Sequence, residues 1–143
     1  MLNWIDDELF VNAIVKDVFE SENIIGLKFL EVLKYRKEIA IEDIYQIYIK
    51  NELEPGLINI ENSVKIIRKC NSCNRKKYIG SGKGLTFKRE VFNHLSSDIY
   101  KTYEAFGDGL MHSKKIIVSK KLYNAIKKYN LDKKLEFEPI SIE

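Results

Sequence analysis

Cysteine and histidine are scarce: Cys70, Cys73, His94 and His112 are all that 143 residues contain. So few cysteines exclude a disulfide-stapled scaffold. The two histidines stand at spacings from Cys73 that match no common zinc finger or ribbon. Proline is limited to Pro55 and Pro139. No Pro/Ser-rich linker, fixed-period repeat or low-complexity tract divides the chain, which reads as a single domain over residues 1–143. Long apolar runs are missing too. The longest, such as Ile116 to Val118, fall far short of the roughly 20 residues of a membrane-spanning helix, so no membrane association is expected. The first ten residues carry Asp6, Asp7 and Glu8 where a secretory signal needs basic residues and then an apolar stretch, which points to the cytoplasm. Recognisable catalytic groupings are absent as well. Neither histidine lies in an elbow, an HExxH or a paired-carboxylate setting, and the expectation is a protein that is not an enzyme.

What is present is a core-forming composition, 45% hydrophobic and 11% aromatic, on a chain long enough to bury one core. The net charge of +3 hides a division. Residues 1–60 hold six Lys and Arg against twelve Asp and Glu, a net −6, and residues 61–143 hold eighteen against nine, a net +9. The acidic part suits a basic partner such as a nuclease; the basic part suits nucleic acid or an acidic protein. The alternative is that both halves fold into one body and their charges mostly neutralise each other across its surface.

Periodicity is ambiguous between helix and strand over Trp4 to Phe19 and over Leu27 to Tyr35. Ile41 to Lys50 reads as a strand on its β-branched and aromatic content, and Ser63 to Lys69 as another. Leu85 to Phe92 and Lys115 to Val118 are strand-like. Ser119 can cap a helix whose apolar residues Leu122, Ile126 and Tyr129 recur at i, i+4 and i+7. Leu135 to Ile140 alternates as a final strand. The fold class expected is α+β, a mainly antiparallel sheet with a few packed helices.

Cys70 and Cys73 form a CxxC turn between strand-like segments. Two thiolates there can share a Zn²⁺, but only half of a four-ligand site is present. The alternatives are redox chemistry, weakened by the lack of a helix start that would lower a thiol pKa, and two ordinary reduced thiols. No cofactor is expected beyond that possibility of zinc. The run Gly80-Ser81-Gly82-Lys83-Gly84 lacks phosphate-loop spacing and reads as a hairpin turn. Around the CxxC turn Arg68, Lys69, Arg75, Lys76, Lys77, Lys83, Lys88 and Arg89 gather into a basic hairpin, with Tyr78 and Phe87 nearby. This opens a nucleic-acid-binding regulatory role as the alternative function, although such basic turns are common on solvated hairpins.

The ordered pattern Asp98-Ile99-Tyr100, Phe106-Gly107, Ile116-Ile117-Val118-Ser119-Lys120-Lys121-Leu122-Tyr123 and Leu135-Glu136-Phe137-Glu138-Pro139-Ile140 resembles bacterial immunity proteins of polymorphic toxin and contact-dependent growth inhibition systems. The likeness is to a group with a CxxC turn after a strand, and it covers Ile66 to Ile140, about half the chain. Relatives in that group often carry two CxxC pairs followed by glycine. Here Asn74 follows Cys73 and no second pair exists, which rules out a four-cysteine zinc site. The resemblance implies a small cytoplasmic protein that binds a cognate toxin and blocks it by contact, with no catalytic residues to carry over. On charge alone, Asp6, Asp7, Glu8, Glu42, Asp43, Glu52 and Glu54 are the candidate toxin-binding residues, standing in for phosphates in the cleft of a nuclease-type effector.

Overall fold

The computed structural model describes residues 2–5, 8–58, 64–72, 74–79, 84–107, 113–133 and 135–143. The fold is α+β with mainly antiparallel sheets, and the chain gathers into two compact units. The first comprises Met1–Asn51, Ser97–Tyr100 and Val118–Glu136; the second comprises Glu52–Ser96, Lys101–Ile117 and Phe137–Glu143.

In the first unit, β1 (Leu2–Ile5), β2 (Glu8–Asn12), β3 (Leu27–Leu33) and β4 (Ala40–Ile49) form an antiparallel sheet in the order β1-β2-β4-β3. Between Trp4 and Phe19 both periods are realised in succession, because Asn12 switches the chain from strand to helix. Its side chain accepts from the Val15 amide at 3.1 Å and caps α1 (Ala13–Ser21). Val15 and Phe19, four apart, form the buried stripe of α1. Asn23 ends the helix in the left-handed region at φ 52°. The segment from Leu27 resolves as a strand. α2 (Lys120–Lys128) starts where the sequence places it, with the Ser119 hydroxyl accepting from the Leu122 amide at 3.1 Å, and it buries Leu122, Ala125 and Ile126. Tyr129 lies exposed at its C-terminal cap, outside that buried stripe.

Asp98 ties these pieces together. One carboxylate oxygen accepts from the Ile25 amide at 3.0 Å and faces the Lys121 ammonium at 3.5 Å; the other accepts from the Ser119 hydroxyl at 2.7 Å. Burial alone would raise its pKa, but the Ser119 hydroxyl, the Ile25 amide and the Lys121 charge outweigh it and hold the carboxyl below its usual value. Gly26 lies beside it at φ +96°, where an added Cβ would meet the Ser97 Cβ at 2.5 Å, so both conformation and space demand glycine.

In the second unit, a sheet of order β10-β9-β7-β6 uses β6 (Lys65–Lys69), β7 (Lys76–Ile79), β9 (Ile99–Phe106) and β10 (Ser113–Val118), with β7 parallel to β9. The first two residues of β9 and the last of β10 belong to the first unit. A smaller sheet joins β5 (Leu57–Ile58), β8 (Thr86–Phe87) and β11 (Ser141–Ile142). Val64, Tyr78, Leu85, Phe87 and Phe106 form the core, with Leu57, Phe92, Ile117 and Ile140 packed against it.

Two expectations are corrected. The strand expected over Leu85 to Phe92 stops at Phe87 and continues as a 3₁₀ turn over Arg89–Phe92, which sets Phe92 edge-on to Phe87. Leu135 to Ile140 is not a strand. Its alternating residues find no ladder, and pairing begins only at Ser141, alongside Thr86.

Candidate functional site

Phe29 meets Phe19 of α1 and Tyr45 at ring distances of 6.5 and 6.4 Å, which identifies the face of the first unit's sheet that carries Phe29, Tyr45, Ile47, Leu9 and Val11 as the core side. Alternation therefore puts Phe10, Leu30, Gln46 and Tyr48 on the other face, where the register aligns Leu30, Gln46 and Phe10 in one row across three strands. Leu30 and Tyr48 are 42% and 49% exposed. The exposure continues into the β3–β4 hairpin, where Leu33, Tyr35 and Ile39 lie open and Tyr35 is 82% exposed. Exposed apolar groups so close together exceed the scatter usual on a soluble surface.

Carboxylates border this surface. Glu8 is half-buried and accepts from the Gln46 amide at 2.6 Å, so it is built into the face. Glu42 and Asp43 occupy a bulge in which Val32 alone stands opposite Ile41 to Ile44; both are exposed, and Asp43 has φ +59°. A non-glycine residue held in the left-handed region within a bulge re-aims its side chain at an energetic cost. Asp6 and Asp7 lie outside the described residues.

The remaining two acidic candidates belong to the second unit. Glu54 is exposed there. Glu52 pairs with Arg75 at 3.4 Å and with Lys114. It stands on the outer face of the β10-β9-β7-β6 sheet. Tyr78 packs on Phe106 at 5.9 Å, and Ile117 joins the same core, so alternation turns Lys77, Lys101, Tyr103 and Lys114 the other way. Arg75 stacks over Tyr103 at 4.7 Å. The register adds Arg68 opposite Lys77, and Lys65 opposite Ile79. Among the described residues Glu52 is thus a counter-ion within a basic face. Sequence reading found Arg68, Arg75 and Lys77 but missed Lys101, Tyr103 and Lys114, which reach the face from other segments; the alternation within β9 was the available signal. Lys88 and Arg89 follow β8 instead.

Of the CxxC pair only Cys70 is described. It is exposed, its amide donating to the Arg75 carbonyl at 2.8 Å and its carbonyl accepting from the Asn74 amide at 2.9 Å. Cys73, His112 and residues 80–83 lie outside the described residues; His94 is exposed. Among the described residues no three His, Cys, Asp or Glu side chains gather as metal ligands, and no helix is long and apolar enough to cross a membrane.

The second unit also buries a carboxylate. Glu104 Oε1 accepts from the Gly56 and Leu57 amides at 3.0 Å each, while Oε2 is buried without a hydrogen-bond partner. Burial, and then the charge of Glu104, pushes the Tyr78 phenol up. The arrangement clamps the turn before β5 to β9. No protein-family model, curated protein or solved structure matches the chain.

Proposed function

We propose that this chain is an immunity protein, which binds a cognate toxin in the cytoplasm and neutralises it by contact rather than by catalysis, with a nuclease-type effector domain as the expected target. The observation that carries this reading is the outer face and hairpin of the first unit's sheet. Exposed Leu30, Leu33, Tyr35, Ile39 and Tyr48, bordered by Glu42 and Asp43, combine anchors for a protein interface with charge that suits a basic partner. The likeness of the C-terminal half to immunity proteins supports the same reading.

The test is to express the C-terminal domain encoded by the neighbouring open reading frame, with and without this protein, and to purify the pair. Growth rescue with a stable complex is expected. In that complex Leu33→Ser with Tyr35→Ser should weaken affinity at least about tenfold, as the loss of an aromatic anchor does. Glu42→Lys with Asp43→Lys should slow association at low salt. Toxicity without rescue refutes the function; rescue with both double variants binding normally refutes the surface.

A further inference from the structure

We propose that the free edge of β3 pairs antiparallel with β3 of a second copy of this chain, joining two four-stranded sheets about a two-fold axis. β3 ends the order β1-β2-β4-β3, and just before it the Ile25 carbonyl already accepts from the Asp98 amide at 2.9 Å. From Lys28 to Val32 the backbone is paired only with β4 among the described residues. No residue of β3 is buried. Alternate residues of this stretch therefore turn their amides and carbonyls outward, in a row that another strand completes.

The other sheet edges are guarded against pairing by short length, lysine or a bulge. β6 carries Lys65, Arg68 and Lys69 on five residues and is bulged at Ile67. β10 carries Lys114 and Lys115, β1 is four residues long and irregular in register, and β5 and β11 have two residues each. β3 is the longest of these edges, seven residues with one lysine and no proline.

Charge selects a second copy as the occupant and fixes its register. With the two-fold axis at Leu30, that residue faces its own copy, Phe29 faces Glu31, and Lys28 faces Val32. The other neighbour of Val32 is the β4 bulge that holds Glu42 and Asp43. The Lys28 backbone of the second copy then lies two strand spacings, about 10 Å, from that bulge, a gap that a lysine and a carboxylate side chain span together. Lys28, Glu42 and Asp43 are all exposed, and none forms an ion pair among the described residues. Symmetry makes the match twice. An axis at Glu31 sets two carboxylates face to face, and one at Lys28 sets two ammonium groups face to face. An axis at Phe29 moves Lys28 opposite Leu30, away from the bulge. Pairing about Leu30 forms about four to six backbone hydrogen bonds. It uses the edge of the sheet instead of its outer face, and it does not rest on the toxin-binding reading.

Sedimentation equilibrium of the full chain tests this. One strand pair buries less than about 1,200 Å², so the mass should rise from that of one chain toward that of two with a dissociation constant of about 10–100 μM. Leu30→Lys brings two ammonium groups together at the axis and should raise that constant at least about tenfold. Lys28→Glu, and separately Glu42→Lys with Asp43→Lys, should each weaken self-association about fivefold or more. An equimolar mixture of those two charge variants should dimerise again, because every Lys28 contact then joins opposite charges. All the substituted side chains are exposed, and circular dichroism of each variant controls for folding. A chain still monomeric at about 300 μM overturns the proposal and leaves the edge to an extended segment of another protein. So does a dimer that Leu30→Lys leaves unchanged, or a pair of charge variants that mixing does not restore.

Discussion

Replacing Asp98 by alanine tests how the first unit is held together. The substitution strands the Ile25 amide and the Ser119 hydroxyl and removes the counter-charge of Lys121. Hydrogen bonds to a charged group contribute about 1.5–3 kcal/mol each, so the two amount to about 3–6 kcal/mol. Lys121 is half exposed and adds less than about 1 kcal/mol. A loss of about 4 kcal/mol is therefore expected at neutral pH, large against a total stability of about 5–15 kcal/mol. Urea unfolding followed by circular dichroism measures it. Ser119→Ala should cost about 1–2 kcal/mol through the lost cap, and the double variant should lose less than the sum, because the two residues share a bond. Asp98 also titrates low in the fold, so its contribution is complete above its unfolded value near 3.8 and disappears as the pH falls through the lower folded value. Wild type should then lose stability more steeply than Asp98→Asn as the pH drops below about 4. An Asp98→Ala loss under about 1 kcal/mol, or strictly additive variants, would show that the carboxylate does not join α2 to the segment before β3.

Two further substitutions probe the backbone. Glu104→Ala leaves the Gly56 and Leu57 amides without their acceptor and should cost about 2–4 kcal/mol in the same assay, whereas Glu104→Gln keeps that acceptor and should stay within about 1.5 kcal/mol of wild type. Gly26→Ala forces a Cβ against Ser97 at positive φ and should cost at least about 2 kcal/mol; an unchanged urea midpoint contradicts the glycine argument.

Local signals were strong where a segment is amphipathic and carries its own boundary. β4 has β-branched and aromatic residues ended by Asn51, and α2 has Ser119 before an i, i+4 stripe, so both were legible. β9 was not. It is buried at six of eight positions yet contains Lys101, Thr102 and Glu104, because polar groups find partners inside the fold: the Thr102 hydroxyl donates to the Glu104 carbonyl and accepts from the Lys115 amide, and Glu104 Oε1 accepts from the Gly56 and Leu57 amides. The segment Leu135 to Ile140 shows the opposite failure, since alternation without a neighbouring edge makes no strand. The acidic set was read from charge along the chain, which cannot show that Glu52 sits between Arg75 and Lys114. Lys101, Tyr103 and Lys114 escaped notice for the same reason, because other segments bring them beside Arg75. The bulge that presents Glu42 and Asp43 depends on pairing with β3 and leaves no mark on either residue type.

The order in which the chain visits its units governs how it comes into being. The amide of Ile25 waits for Asp98, Glu22 waits for Lys128, and Phe87 waits for Ile142. Both units are discontinuous in sequence, so a contiguous fragment ending before residue 97 lacks pieces of each. At about 5–20 residues per second, a ribosome needs about 6–22 s to go from residue 25 to residue 136, where the first unit is complete. Until then α1, whose Phe19 packs on Phe29 of β3, lacks the Ser97–Tyr100 and Val118–Glu136 pieces of its unit. Newly made protein thus passes through a state in which neither unit is complete.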